Sequence, residues 1–131
     1  MSPQLNHTIV WCKNQEASAK FLAEMLGLPP PVKFGHFDVI DLENGVSMDF
    51  AEAPKGMTSP PAITPQHYAF LISEADFDAV LGRIEARNLE HWADPRRQRS
   101  GEINHNDGGR GVYFADPDGH YLEVLTRPYG R

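Results

Sequence analysis

The chain has 131 residues, 40% hydrophobic and 23% charged, which is enough for one domain with its own core. Its net charge of -6 speaks against general binding to nucleic acid, and its single cysteine, Cys12, excludes both an internal disulfide framework and a thiolate-rich metal site. No apolar run approaches the length of a bilayer span, and Met1-Ser2-Pro3-Gln4 lacks a basic segment leading into an apolar one, so the cytoplasm is the expected compartment.

The first strand-like run is Leu5-Asn6-His7-Thr8-Ile9-Val10-Trp11. Asn14 then caps an amphipathic helix whose Ala17, Phe21, Leu22, Met25 and Leu26 recur at three- and four-residue steps. Gly27 is placed to end it, and Pro29-Pro30-Pro31 forbids its continuation. Residues 36–42 and 46–52 form a predicted hairpin around Glu43-Asn44-Gly45, because Asn-Gly suits a tight turn. The prolines of Ala53–Pro61 predict a stiff connector.

The pattern then repeats. Pro65-Gln66-His67-Tyr68-Ala69-Phe70-Leu71 places His67 in register with His7. Ser73 and Asp76 make a start resembling a capping box, and Phe77, Val80, Leu81 and Ile84 supply the apolar stripe. Asn88 takes the left-handed position that Gly27 takes in the first copy. A long irregular segment, 93–110, precedes a second hairpin, 111–115 and 120–126, around Asp116-Pro117-Asp118-Gly119. Each half is therefore strand, helix, then two or three strands, with module 1 at about 4–53 and module 2 at about 64–128.

Strand alternation decides which side chains can meet. His7, Ile9 and Trp11 share one face of the first strand, and His67, Ala69 and Leu71 share one face of its repeat. Asp49 and Glu123 each stand four residues past a turn glycine, on strands whose other faces are apolar. Two histidines and two carboxylates at repeat-related positions suit iron, manganese, cobalt, nickel or zinc, with positions left open for substrate or water.

These residues carry a family resemblance. The chain resembles the vicinal oxygen chelate superfamily of glyoxalases, bleomycin-resistance proteins, extradiol dioxygenases and fosfomycin-modifying thiol transferases. The resemblance rests on Leu5-Asn6-His7-Thr8-Ile9, on His67-Tyr68-Ala69-Phe70, and most strongly on the run from Gly111 to Glu123. It implies an α+β fold of two βαβββ modules whose curved mixed sheets surround a central metal-binding cavity, usually as a homodimer. By position it puts the metal ligands on His7, His67 and Glu123. Asp49 falls where glyoxalase-like members have a fourth carboxylate; with one methylene fewer, it suits a water-bridged or outer position at least as well. The implied activity is that of a metalloenzyme on a small oxygen-rich substrate, most simply a glyoxalase-like lyase or isomerase in which Glu123 or Asp49 moves a proton. A thiol transferase, an extradiol dioxygenase and a metal-free binding protein are the competing readings.

Other residues have plainer readings beside functional ones. Trp11 shares a strand face with His7, Tyr121 one with Glu123, and Tyr113 one with Gly111 and Ala115, so they either line the cavity or simply pack. In the long loop, His105 is a candidate acid–base group, with Asn104 and Asn106 as substrate contacts and Arg110 as a hinge. Arg96, Arg97 and Arg99 are either a solvated run or a cationic lip for an anionic substrate. Cys12 and His120 read as structural, and His36 and His91 as exposed.

Overall fold

The computed structural model describes residues 2–52 and 62–130. The chain divides into two units, Met1–Ile63 and Thr64–Arg131. The predicted stiff connector lies outside the described residues.

The first unit runs β1 (His7–Cys12), α1 (Gln15–Leu26), β2 (Val32–Phe34), β3 (Phe37–Asp41) and β4 (Ser47–Glu52). The second runs β5 (His67–Leu71), α2 (Glu74–Ala86), β6 (His91–Trp92), β7 (Gly111–Ala115) and β8 (Tyr121–Leu125). Strand order is β1-β4-β3-β2 in one sheet and β5-β8-β7-β6 in the other. The two units are thus the same βαβββ motif, in mixed sheets that remain open: the first strand pairs parallel with the last, and the other pairings are antiparallel.

Local chemistry sets the helix ends. The Asn14 side chain accepts from the Ala17 N–H and that of Ser73 from the Asp76 N–H, each satisfying a donor that a helix start leaves open. Gly27 closes α1 in the left-handed region at φ 70°, and Asn88 adopts φ 53° just past α2.

Alternation along the strands sorts the faces. In the first unit Val10, Cys12, Ile40, Met48 and Phe50 are buried with Leu22, Ala23 and Met25 of α1, which packs on β3 and β4. In the second, Phe70, Val112, Phe114, Leu122 and Val124 are buried, as is the α2 stripe of Phe77, Val80 and Ile84. Burying a side chain of this size contributes about 1.5–3 kcal/mol. Cys12 donates its thiol hydrogen to the Ala51 carbonyl, and buried His120 accepts from the Gln66 N–H, so both are structural. His36 is exposed, whereas His91 is half-buried.

Candidate metal centre

The opposite face of the second sheet carries His67 and Glu123. His67 lies beside Tyr121, and Ala69 beside Glu123, in the parallel β5–β8 register. The His67 Nδ1–H donates to the Tyr121 carbonyl at 3.1 Å, which leaves the Nε2 lone pair pointing away from the strand. That nitrogen stands 3.1 Å from Glu123 Oε1. An ionised carboxylate has no proton to offer and neither does Nε2 in this tautomer. Two acceptors so placed need a proton or a cation between them; the pair offers a divalent ion two donors, and no third His, Cys, Asp or Glu is grouped with them among the described residues. Metal-binding histidines characteristically commit their other ring nitrogen as His67 does.

Glu123 is only 1% exposed, unusual for a carboxylate unless it is paired. Its second oxygen accepts from the Tyr129 hydroxyl. Tyr129 Oη also lies 3.1 Å from Tyr113 Oη, and the Tyr113 ring stacks on His67 with centroids 6.0 Å apart. Burial, followed by the hydrogen bond to Glu123, drives the Tyr129 phenol far above its ordinary value. Burial likewise raises Tyr113. Both phenols therefore stay protonated at neutral pH and act as donors. Tyr129 has no place in the repeat; it follows Pro128 in an irregular tail, and no periodicity marks it.

In the first unit His7 lies beside Ser47 and Ile9 beside Asp49, the same register as in the second. The His7 Nδ1 is 2.7 Å from Asn6 Oδ1, an acceptor, so here too Nε2 keeps the lone pair. Asp49 Oδ1 accepts from the Ser47 hydroxyl at 2.8 Å. His7, Ile9 and Trp11 form an exposed row, with Trp11 49% exposed.

The residues of the long loop fall in different places. Asn104 is buried; its amide donates to the Ala93 carbonyl and accepts from the Asn106 N–H. Its backbone bridges to Gly111, where an added Cβ would come within 2.9 Å of Asn104 Oδ1. Asn106 opens a short 3-10 turn, Asn106–Gly108. His105 precedes that turn, exposed and with no hydrogen-bond partner among the described residues. Arg110 is committed to α2: its guanidinium bonds Glu74 at 2.7 Å and Asp78 at 2.8 Å, and lies 4.5 Å from the Phe77 ring centroid. Tyr121 is 40% exposed and sits beside His67.

From the segment Asp94–Ser100, the Arg97 side chain reaches the face that carries His67 and Glu123. Register aligns Trp92 with Tyr113 and Tyr113 with Glu123, so all three share that face. The Arg97 guanidinium lies 4.6 Å from the Trp92 ring centroid and 4.8 Å from that of Tyr121.

Comparison with known proteins adds to this geometry. Residues 4–124 match the family model described as Glyoxalase/Bleomycin resistance protein/Dioxygenase superfamily. Glutathione transferase FosA of Serratia marcescens is 30% identical over 127 residues, covering 95% of this chain and 81% of that protein. Metallothiol transferase FosB of Shouchella clausii is 45% identical over 62 residues, 46% of this chain and 37% of that protein. Among solved structures, Oxidase ChaP-H1 is 55% identical with a TM-score of 0.90, covering 99% of this chain and 100% of that one. Oxidase ChaP-H2 is 57% identical with a TM-score of 0.91, covering 99% and 98%.

Proposed function

Because this chain is an enzyme belonging to the Glyoxalase/Bleomycin resistance protein/Dioxygenase superfamily, we propose that it is a metal-dependent oxidase. On this reading it acts on a small organic substrate with two adjacent oxygens and passes the electrons to dioxygen. The observation that carries the reading is whole-chain identity of 55% and 57% to the oxidases ChaP-H1 and ChaP-H2. It displaces the glyoxalase-like lyase as the preferred reaction and stays within the expected metalloenzyme class.

His67 and Glu123 would hold the ion, and His7 is a further ligand by its repeat-related position alone. Asp49 is bonded to Ser47 and is the outer carboxylate by its repeat-related position alone. Iron or manganese fits both this donor set and oxygen chemistry. The bound ion supplies Lewis acidity to the paired substrate oxygens. Tyr129 fixes the carboxylate of Glu123 by holding one oxygen, so the other keeps its aim at His67. Tyr113, whose hydroxyl lies against that of Tyr129, is the phenol free to turn its hydrogen to a substrate oxygen that gains charge. Tyr113 also braces the His67 ring. The chain works as a homodimer on this reading: Ile9, Trp11 and Leu71 leave exposed apolar surface for a partner subunit. Sedimentation giving only a 14.7 kDa monomer at micromolar concentration would refute the dimer.

Similarity to FosA favours a second reading, thiol addition to an epoxide. One experiment separates the two. Protein reconstituted with Fe(II) or Mn(II) is tested with catechols in an oxygen electrode and, in parallel, with fosfomycin and glutathione by product analysis. Oxygen uptake matched to substrate loss, and abolished in H67A, supports the oxidase. Conjugate formation without oxygen uptake supports the transferase and ends the oxidase reading.

A further inference from the structure

Arg97 is held in an unusual way. Its backbone adopts φ 60°, the left-handed region that costs a residue with a Cβ roughly 1–2 kcal/mol. The surrounding loop is built to keep it there. The Asp94 carboxylate accepts from the backbone N–H of Gln98 at 3.0 Å and of Arg99 at 2.7 Å. The Arg97 N–H reaches the Asp94 carbonyl, the Ala93 N–H reaches the Arg99 carbonyl, and Trp92 bridges Ser100. Asn104 ties the base of the loop through the Ala93 carbonyl. A strained residue that its surroundings over-determine calls for a functional explanation.

The side chain supplies one. Its guanidinium lies over two aromatic rings, Trp92 and Tyr121, yet the residue is exposed. Stacking immobilises the plane and leaves N–H groups at its edge for a ligand. No carboxylate pairs with it among the described residues, whereas neighbouring Arg99 meets Glu102 at 3.7 Å and Arg110 meets Glu74 and Asp78. Trp92 and Tyr121 lie on the face that carries His67 and Glu123. Two strand spacings, roughly 10 Å, separate Trp92 from Glu123 in the sheet. A single fixed cation thus stands within one small molecule's length of the donor pair, over an aromatic floor.

We propose that Arg97 is a specificity-determining residue that binds an ionised oxygen of a flat aromatic substrate whose adjacent oxygens face His67 and Glu123. The assignment deepens the proposed function and rests on its chelating site. It narrows the three-arginine lip to one residue and names the ligand class as an aromatic acid.

The test compares two probes on Mn(II)-loaded full-length protein, with affinity read by calorimetry and not by turnover. Catechol presents the adjacent oxygens alone; protocatechuate adds a carboxylate across the ring. The wild type should bind protocatechuate at least about ten-fold more tightly, the gain expected of one charge-assisted hydrogen-bonded contact. R97Q should bring the two probes within about two-fold of each other, and R97K should recover only part of the preference because it cannot stack as a plane. Circular dichroism and metal content of the variants are measured first, and D94N, which loosens the loop while keeping Arg97, should reduce the preference as well. Equal affinity for the two probes in the wild type, or a preference that survives in R97Q, overturns the role of Arg97 and leaves the chelating site standing. Binding of neither probe overturns the chelating site and this assignment with it.

Discussion

The two units have the same strand order and the same register, but they use it differently. In the first, His7 and Asp49 hydrogen-bond to their close sequence neighbours Asn6 and Ser47. In the second, His67 and Glu123 face each other at 3.1 Å, and two tyrosines surround them. Backbone position does not separate them, because the histidine sits beside residue 47 or 121 and the acid beside residue 9 or 69 in equivalent parallel pairs. Side-chain reach and the third strand do. Glutamate is one methylene longer than aspartate, and Glu123 is flanked across the sheet by Tyr113 where Asp49 is flanked by Val39. A duplicated motif therefore supplies the scaffold twice and a preformed donor pair once.

The largest effects should come from breaking that pair. H67A and E123A should each weaken Mn(II) affinity by about a hundred-fold or more, since loss of a ligand should exceed the ten- to hundred-fold cost of losing an outer partner. H7A, which removes a donor that is not preformed, should cost less, at about ten-fold or more, and D49A less again. E123D is the sharper probe: if reach distinguishes the units, it should behave like E123A and not like the wild type. Competition against a fluorescent chelator gives all five numbers. Equal losses for H7A and H67A would remove the asymmetry, and full retention in both would remove the metal assignment.

Next in size is the tyrosine support, which the first unit lacks. Y129F leaves Glu123 Oε2 without its donor and should lower Mn(II) affinity by about ten-fold with little change in fold. An unchanged affinity would make Tyr129 a packing residue and leave Glu123 self-sufficient.

Much of this was legible in the sequence because period-two alternation and turn chemistry act locally. The helix caps at Asn14 and Ser73, the left-handed Gly27 and Asn88, both hairpins and the placing of His and acid on neighbouring strands of each sheet follow from a few residues apiece. The short strands β2 and β6 carry too few residues to show a period. The bond from Tyr129 to Glu123 and the stacking of Arg97 on Trp92 were hidden for a different reason: each depends on where an irregular segment folds back, which no spacing encodes, so Arg97 stood out only as one of three arginines in a candidate lip. Arg110 makes the same point in reverse. Beside the candidate loop it suggested a hinge to substrate, but its charge is taken up by Glu74 and Asp78 of α2.

A smaller contrast lies at the helix ends. α1 closes on Gly27 and α2 is followed by left-handed Asn88, so the two exits should respond oppositely to substitution. G27A should cost about 1 kcal/mol, because it puts a Cβ into the left-handed region. N88G should stay within about 0.5 kcal/mol of the wild type, since relief of backbone strain offsets the extra freedom of glycine when unfolded. Urea unfolding measures both, and a G27A cost no greater than that of N88G would mean that tertiary contacts, not cap conformation, set these ends.

The smallest expected effect concerns how each helix start is tied to its sheet. In the first unit the Gln15 N–H donates to Glu52 of β4, a backbone contact. In the second, Glu74 accepts from the Thr126 hydroxyl and from Arg110, and these two bonds, Thr126 foremost, hold its carboxyl below the ordinary value of 4.5. A carboxylate whose folded pKa is depressed stabilises the fold above its unfolded pKa and loses that contribution as pH falls through the folded value. The second unit's tie should therefore weaken as the solution is acidified below pH 4.5. Glu74 is largely exposed, so solvent screening keeps the effect small. E74Q removes the titrating group, and its melting temperature should fall less steeply than that of the wild type over that acid range. Parallel slopes for the two proteins would assign the acid sensitivity to other carboxylates and make the Glu74–Arg110–Thr126 contact neutral to folding.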